Sequence, residues 1–257
     1  MQQTLSTPLY LDWSFWAVIV AATAIVLSQL PPIYSVVRRG RLDMEVYSRM
    51  FINHKIGNPI TQLYFILTNI GGRNIRINGI ALTLKRDGKD LIILPAQNYL
   101  QDPNNPKTAL LFTRFTLKSK EEWARMVNFF NYFSRKDENG YRSAQYNLQQ
   151  NIFSKRQIPE NKDRVVEADN EYVTKFINMF NEKFIWQSGE YEIQISVKTS
   201  IDKLSFEKSY RFTLFESDSS ELSKSKNDYK LGDGIYWESG NHPGVIVQII
   251  EGGQHTN

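Results

Sequence analysis

Residues 188–198 read "SGEYEIQISVK", and the alternation inside them decides what kind of chain this is. Tyr191, Ile193, Ile195 and Val197 fall on one side, with Glu190, Glu192, Gln194 and Ser196 on the other. A period of two belongs to an extended strand with one face in a core and the other in water. Residues 204–215, "LSFEKSYRFTLF", repeat the pattern with Phe206, Tyr210, Phe212 and Leu214 on one face. The turn "TSIDK" (199–203) between the two stretches makes them a hairpin.

The same alternation recurs upstream. "MEVYSRMFI" (44–52) sets Met44, Val46 and Met50 against Glu45, Tyr47 and Arg49, and "QLYFILTN" (62–69) sets Leu63, Phe65 and Leu67 against Tyr64, Ile66 and Thr68. In "RNIRINGIALTLKRDGK" (73–89) the phase of Ile75 and Ile77 breaks at Gly79 and resumes at Ile80, Leu82 and Leu84, the mark of a bulge. Asp87-Gly88 is a two-residue hairpin signal leading into "LIIL" (91–94) and Pro95. "ALLFTRFTL" (109–117) reads as one further strand.

After Leu117 the period changes. Ser119 and Glu122 have capping-box spacing, and Trp123, Met126, Val127, Phe130 and Phe133 follow at helical intervals. A second helix is expected from Tyr141 through Leu148 to Ile152, then an exposed loop over 154–169. A third helix carries Val173, Phe176, Ile177, Phe180 and Phe184. Residues 119–184 are thus expected to be a helical insertion between two strands. Beyond the last strand, "ESDSSELSKSKNDYK" (216–230) reads as a polar linker or partly ordered edge and "IYWESGNHPGVIVQII" (235–250) as an extra hairpin.

Short strands separated by turn signals about every ten residues resemble an immunoglobulin-like β-sandwich over residues 42–117 and 186–216. "GEYEIQISV" (189–197) looks like the turn and tyrosine that open the penultimate strand of such folds, and the resemblance implies a tyrosine corner at Tyr191. The cysteine pair of antibody domains is missing, because the chain has no cysteine. Such a resemblance implies architecture, not function.

One segment stands outside the sandwich. From Trp13 to Val37 the chain reads "WSFWAVIVAATAIVLSQLPPIYSVV", with no charge between Asp12 and Arg38. Its helical core, Trp13 to Leu30, is 18 residues, which at ~1.5 Å per residue spans ~27 Å, close to the hydrocarbon thickness of a bilayer. Trp13, Trp16 and Tyr34 suit the interfacial belts, and Pro31-Pro32 cannot continue a helix. A cleaved signal peptide would carry a basic leader, whereas residues 1–12 hold no lysine or arginine. Arg38, Arg39 and Arg41 all follow the run, so the positive-inside rule puts the N-terminus outside and the domain in the cytoplasm, at the inner membrane. No asparagine is followed by x-Ser or x-Thr, which agrees with that orientation.

The expected fold class is therefore mainly β with a helical insertion: a single N-terminal transmembrane helix followed by an immunoglobulin-like β-sandwich. The tail covers 1–12, the helix and its exit 13–37, the sandwich 42–216, and a C-terminal extension 217–257.

Composition narrows the function classes. A mean hydropathy of −0.42 excludes a polytopic membrane protein. The net charge of +4 divides into +2 for residues 1–41 and +2 for the rest, whose 28 basic and 26 acidic residues are interspersed. A nucleic-acid binder shows a basic face instead, so nucleic acid is not the expected partner. Arg73, Arg76, Lys85 and Arg86 gather along one strand and its turn, as a solvated face or one turned to lipid headgroups.

His54, His242 and His255 are far apart and read as surface residues. No HExxH, GxSxG, GxxxxGK[ST] or GxGxxG motif occurs, and "KLGDGIYWESG" (230–240) lacks the spacing of a calcium loop. No catalytic residue, metal ligand or cofactor is expected.

The insertion holds 12 aromatics among its 66 residues, most at core spacing. Phe129, Tyr132 and Tyr146 lie off the stripes and are the expected partner surface. The sequence thus reads as a non-enzymatic membrane anchor or scaffold whose partners are membrane lipid and a protein, or a second copy of itself. Two alternatives stand beside it: an oligomerising effector that perturbs the bilayer, as in bacterial anti-phage defence, with Ala17, Ala21, Ala22 and Ala24 packing its helices; and an extracytoplasmic receptor or adhesion module.

Overall fold

The structure, a computed structural model, describes residues 13–29, 39–102, 105–161, 164–240 and 244–252. An apolar helix, α1 (Trp13–Gln29), comes first. The body begins with β1 (Leu42–Lys55), β2 (Asn58–Asn69), β3 (Ile75–Arg86) and β4 (Lys89–Leu100). Short strands β5 (Ala109–Leu111) and β6 (Phe115–Leu117) precede β7 (Glu122–Phe130) and the helices α2 (Arg135–Arg156) and α3 (Asn170–Lys183). Then come β8 (Gly189–Thr199), β9 (Phe206–Leu214), α4 (Glu216–Lys224), β10 (Val245–Gln248) and β11 (Ile250–Glu251).

The main strands lie in the order β10-β1-β2-β7-β4-β3-β8-β9-β11, with antiparallel neighbours, and the sheet nearly closes into a barrel. Two switches bring it round. β4 pairs with β3 as far as Pro95, opposite Ala81, and from Ala96 onward it pairs with β7. Pro95, with no amide to donate, sits where the strand changes partner. At the other seam β10 pairs with β1, and β11, after one intervening residue, pairs with β9. The inward side chains fill the barrel with Leu63, Phe65, Leu82, Val127, Phe129, Ile193, Ile195 and their neighbours.

Local chemistry accounts for the long strands. β2 alternates half-buried and buried residues without a break, as Leu63, Phe65 and Leu67 point inward. The register of β3 against β8 shifts between Ile77 and Gly79, which is the expected bulge. Asp87 (φ 52°) and Gly88 (φ 74°) are both left-handed, the two-residue turn whose twist matches the strands it joins. β8 and β9 form the expected hairpin, in register from Gly189↔Leu214 to Val197↔Phe206.

Several expectations are corrected. Residues 122–130 are a strand, not a helix: β7 is held on one side by β2 and on the other by β4, and its Val127 and Phe129 are fully buried. Spacing allowed both periods, and a central position in the sheet decided between them. Ser119 caps nothing; its hydroxyl donates to the Gly71 carbonyl at 2.8 Å, and Lys120 (φ 64°) turns the chain into β7. Residues 109–117 split into β5 on β4 and β6 on β3. The helix around Tyr141–Ile152 begins earlier, at Arg135, because Ser134 accepts from the Asp137 amide at 3.1 Å. In the expected loop, Val166 and Ala168 are buried.

The stretch read as a linker or partly ordered edge is ordered throughout. It forms α4 and a 3-10 turn (Ser225–Leu231), anchored by buried Leu222 and Tyr229. Among the described residues of 235–250 no separate hairpin forms, since β10 and β11 pair with β1 and β9. The described part of the C-terminal extension is thus built into the fold, with Leu222, Val247 and Ile249 in the barrel core and Tyr229 and Ile235 in a second one.

A second core lies beyond the barrel's far end, where Ile56 packs with Tyr141, Leu148, Phe176, Phe180 and Tyr229. It binds α2, α3 and the 225–235 segment to the β1–β2 turn.

Every residue of α1 from 13 to 28 is exposed. At 17 residues it is about 26 Å long. Among the described residues no helix is long and apolar enough to cross a membrane, so the spanning helix expected over Trp13–Leu30 is not met by the helix described. The tail 1–12, Tyr34 and Arg38 lie outside the described residues.

Candidate functional site

The far end of β1 meets the helices at two adjoining clefts that share Lys55, Gly234 and Glu238. One, of about 460 Å³, runs between Lys55, Glu138, Tyr141 and Gln145 on one side and Ile235, Tyr236 and Trp237 on the other. The second, of about 300 Å³, continues past His54, Ile56, Ser225 and Tyr229. Three separate parts of the chain therefore build it: the β1 terminus, α2, and the segment after α4.

The walls are fixed by hydrogen bonds to one carbonyl. The Tyr141 hydroxyl donates to the Ile235 carbonyl at 2.6 Å, and the Gln145 amide donates to the same oxygen at 3.2 Å. Trp237 Nε1 donates to the Leu231 carbonyl at 2.9 Å, holding its half-exposed ring at the cleft mouth. Burial, with the Glu138 and Glu238 carboxylates close by, pushes the Tyr141 hydroxyl up to about 12. Its phenol stays neutral and remains a donor.

His54 is half-buried here, not on the surface as expected. Its Nδ1 accepts from the Gly57 amide at 3.1 Å, so the proton resides on Nε2, which donates to the Leu222 carbonyl at 2.7 Å. Phe180 and Phe184 approach the imidazole edge-on at 5.2 and 5.5 Å. Ser225 Oγ lies 3.3 Å from Nε2. With Nε2 protonated, the imidazole has no lone pair for that hydroxyl, so the contact is not a nucleophile–base pair. His242 and His255 fall outside the described residues, and among the described residues no three metal-ligating side chains converge.

Three groups face the clefts without a full set of partners. The Tyr229 hydroxyl is buried and makes no hydrogen bond; burial raises its pKa strongly, and Ser225 approaches it without reaching bonding geometry. Lys55 Nζ sits 5.4 Å from the centre of the Tyr141 ring, a cation–π contact, and forms no ion pair among the described residues. Glu238 likewise has no ion-pair partner among them. A cation and an anion at an aromatic-lined opening suit a polar segment entering from outside.

The residues expected to meet a partner divide. Phe129 is fully buried in the barrel, inward-facing on β7, so it is no surface residue. Tyr132 is 67% exposed just past β7, and Tyr146 is 62% exposed on α2, one helical turn beyond Arg142 of the cleft. Trp13 and Trp16 are exposed on α1. Arg39 and Arg41 are exposed where the chain joins the barrel. Lys55, Tyr229 and Glu238 were not found by sequence reasoning. Tyr229 left one signal, a lone aromatic inside a stretch whose other residues, Leu222 and Asn227 apart, are serine, lysine and acid.

The basic set on β3 also divides. Arg73 and Arg76 lie at one end of the barrel and Lys85 and Arg86 at the other, about 30 Å away along the strand. The distal pair is occupied: Lys85 faces Asp90 and Arg86 faces Asp87, each at 3.7 Å, and Arg86 also donates to Gln187 at 2.9 Å.

A scan against protein-family models finds no match for this chain, and neither does a search of the curated proteins.

Proposed function

We propose that the protein is a non-enzymatic membrane-anchored adaptor, with α1 held in the inner membrane and the β-rich body recruiting a protein partner in the cytoplasm. The observation that carries the reading is the surface of α1. Its side chains, Trp13 and Phe15 through Ile25, Val26 and Leu27, are exposed and apolar all round. Such a helix has no polar face to turn to water. The hydroxyls of Thr23 and Ser28 bond back to the carbonyls of Ile19 (2.8 Å) and Ile25 (2.7 Å), which satisfies them without solvent. In sequence Leu30 continues the apolar run, and Arg39 and Arg41 follow on the side that stays cytoplasmic.

In this reading the cleft beside Lys55 and Glu238 is the receiving face, with Tyr146 and Trp237 near its rim. β1 separates it from the helix-proximal end by about 40 Å, far enough for a partner to dock clear of the bilayer. The immunoglobulin-like reading of the body rests on Tyr191. Its hydroxyl donates back to the carbonyls of Ile185 and Gln187, both at 2.7 Å, in the manner of a tyrosine corner. The near-closed ring of strands favours a barrel-like variant of that fold.

The test is a photo-crosslinking residue at Trp237, compared with one at Lys89 on the exposed β3–β4 turn, followed by purification from native membranes. One discrete protein adduct from position 237 and none from 89 is expected. No adduct from either position, together with turnover of a small substrate by the purified chain, would overturn the reading.

A further inference from the structure

The end of the barrel that carries residues 39–41 gathers seven cations that form no ion pair among the described residues. Residues 39–41 lie against the β2–β3 turn, where the Gly71 amide donates to the Arg41 carbonyl (3.1 Å) and the Gly72 amide to the Arg39 carbonyl (3.2 Å). Asn69, fully buried, ties this end together: its amide nitrogen donates to the carbonyls of Arg73 (2.8 Å), Leu117 (3.1 Å) and Lys118 (3.0 Å). The β8–β9 turn joins them through the Ser200 amide, which donates to the Arg76 carbonyl at 2.9 Å. Four chain segments distant in sequence thus form one surface.

Arg39 and Arg41, Arg73 and Arg76, and Lys118 and Lys120 are all exposed on it, and Lys203 adds a further charge from the fourth segment. Against these seven stand three carboxylates unpaired among the described residues, Glu121, Glu122 and Asp202, while Asp43, level with Glu122, is matched by Lys208 at 3.7 Å. The excess of four equals the net charge of the whole chain. None of the seven takes part in an ion pair among the described residues, although eight such pairs occur elsewhere on the body. Ile70, 48% exposed in the same turn, offers an apolar side chain amid the charges.

We infer that this end of the barrel is a docking surface for anionic lipid headgroups, which seats the body on the membrane and leaves its other end facing the cytoplasm. The inference rests on the anchored reading of α1. Three things select lipid over other polyanions: the surface includes residues 39–41, which follow the apolar helix in sequence; its charges come from four separate segments at one barrel end; and Ile70 can enter the interfacial layer. Each cation near an anionic leaflet gains modestly, and the sum over the set fixes orientation.

The test uses the full chain in nanodiscs of neutral phosphatidylcholine or with about 30 mol% phosphatidylserine, and reads acetylation of each lysine by mass spectrometry. With phosphatidylserine, Lys118, Lys120 and Lys203 are expected to react about fivefold more slowly, while Lys89 and Lys226 are unchanged. Salt at about 0.5 M, which shortens the Debye length, should remove the protection. The double variant Arg73→Glu, Lys118→Glu should lose the protection yet remain in the disc. Equal reactivity in the two lipids would overturn the inference while leaving the anchor intact. Binding of single-stranded RNA without phosphatidylserine-dependent protection would overturn it in favour of nucleic acid. Failure of the chain to enter either disc would instead overturn the anchored reading, and this inference with it.

Discussion

The amide of Gly71 donates to the carbonyl of Arg41 across 3.1 Å, fastening the segment that follows α1 to the first crossover of the barrel. Nothing larger than glycine fits. A Cβ at position 71 would lie 2.4 Å from the Arg41 amide nitrogen and 2.6 Å from the Arg39 carbonyl oxygen, both backbone atoms. Gly71→Ala is therefore expected to cost about 1–3 kcal/mol, as overpacking does, measured as a lowered urea midpoint. A tether that is merely a loose linker would leave the midpoint unchanged.

Asn69 secures the same end from inside. Replacing it with leucine keeps the branched shape but removes its hydrogen bonds to the carbonyls of Arg73, Leu117 and Lys118, the last of which keeps only the Glu121 amide. The expected loss is about 2–4 kcal/mol, since orphaned buried acceptors keep their full desolvation cost. Thermal unfolding of Asn69→Leu beside the parent chain measures it.

At the opposite end two turns of the same type give a controlled comparison. Ile56 (φ 49°) and Asp87 (φ 52°) both occupy left-handed first positions, followed by Gly57 and Gly88. A β-branched residue is strained there by about 1–2 kcal/mol. Ile56 is retained because its side chain is buried in the second core against Phe180 and Tyr229. Ile56→Gly should relieve the strain yet destabilise by about 1–3 kcal/mol, because cavity formation outweighs it. Asp87→Gly, in an exposed turn, should change stability by less than about 0.5 kcal/mol. Equal effects at the two positions would contradict the assignment of Ile56 to a packed core.

The titrations give opposite signs at the two extremes of pH. Tyr141 and Tyr210 are both raised from 10.0 to about 12, chiefly by burial. Their contribution is whole below pH 10 and lost as pH rises through about 12, so unfolding midpoints should fall over that interval, less steeply in Tyr141→Phe. Asp137 is lowered from 3.8, first by its hydrogen bond to Lys183 at 2.8 Å. Its contribution is present above pH 3.8 and lost as pH falls through the lower folded value, and Asp137→Asn should flatten that acid limb.

The strands were legible wherever one face is buried and the other wet. β2 and β8 announce themselves by period, Gly79 by the phase break beside it, and Asp87-Gly88 by the left-handed backbone both residues adopt. Tyr191 was legible as an inward-facing residue of β8, its ring stacked on Phe212 at 5.0 Å. β7 was not, because Trp123, Val127 and Phe130 satisfy a helical period as readily as an extended one. Only its two flanking strands, brought together from residues 58–69 and 89–100, decide the matter. The cleft was hidden for the same reason. Lys55, Tyr229 and Glu238 come from places remote in sequence, and no spacing rule joins them. Leu222 and Tyr229 carry too little apolar content to mark 216–230 as folded until the barrel end and α3 are there to pack on.

The central claim, an apolar helix held in the inner membrane with the body behind it in the cytoplasm, is tested most directly by single-cysteine labelling. The chain has no cysteine, so each introduced thiol reports alone. Ser6→Cys and Lys89→Cys would be exposed in turn to a membrane-impermeant maleimide, on intact cells and after lysis. The account predicts that position 6 labels in intact cells while position 89 labels only after lysis. Protection of both positions until lysis, or labelling of both without it, would contradict it.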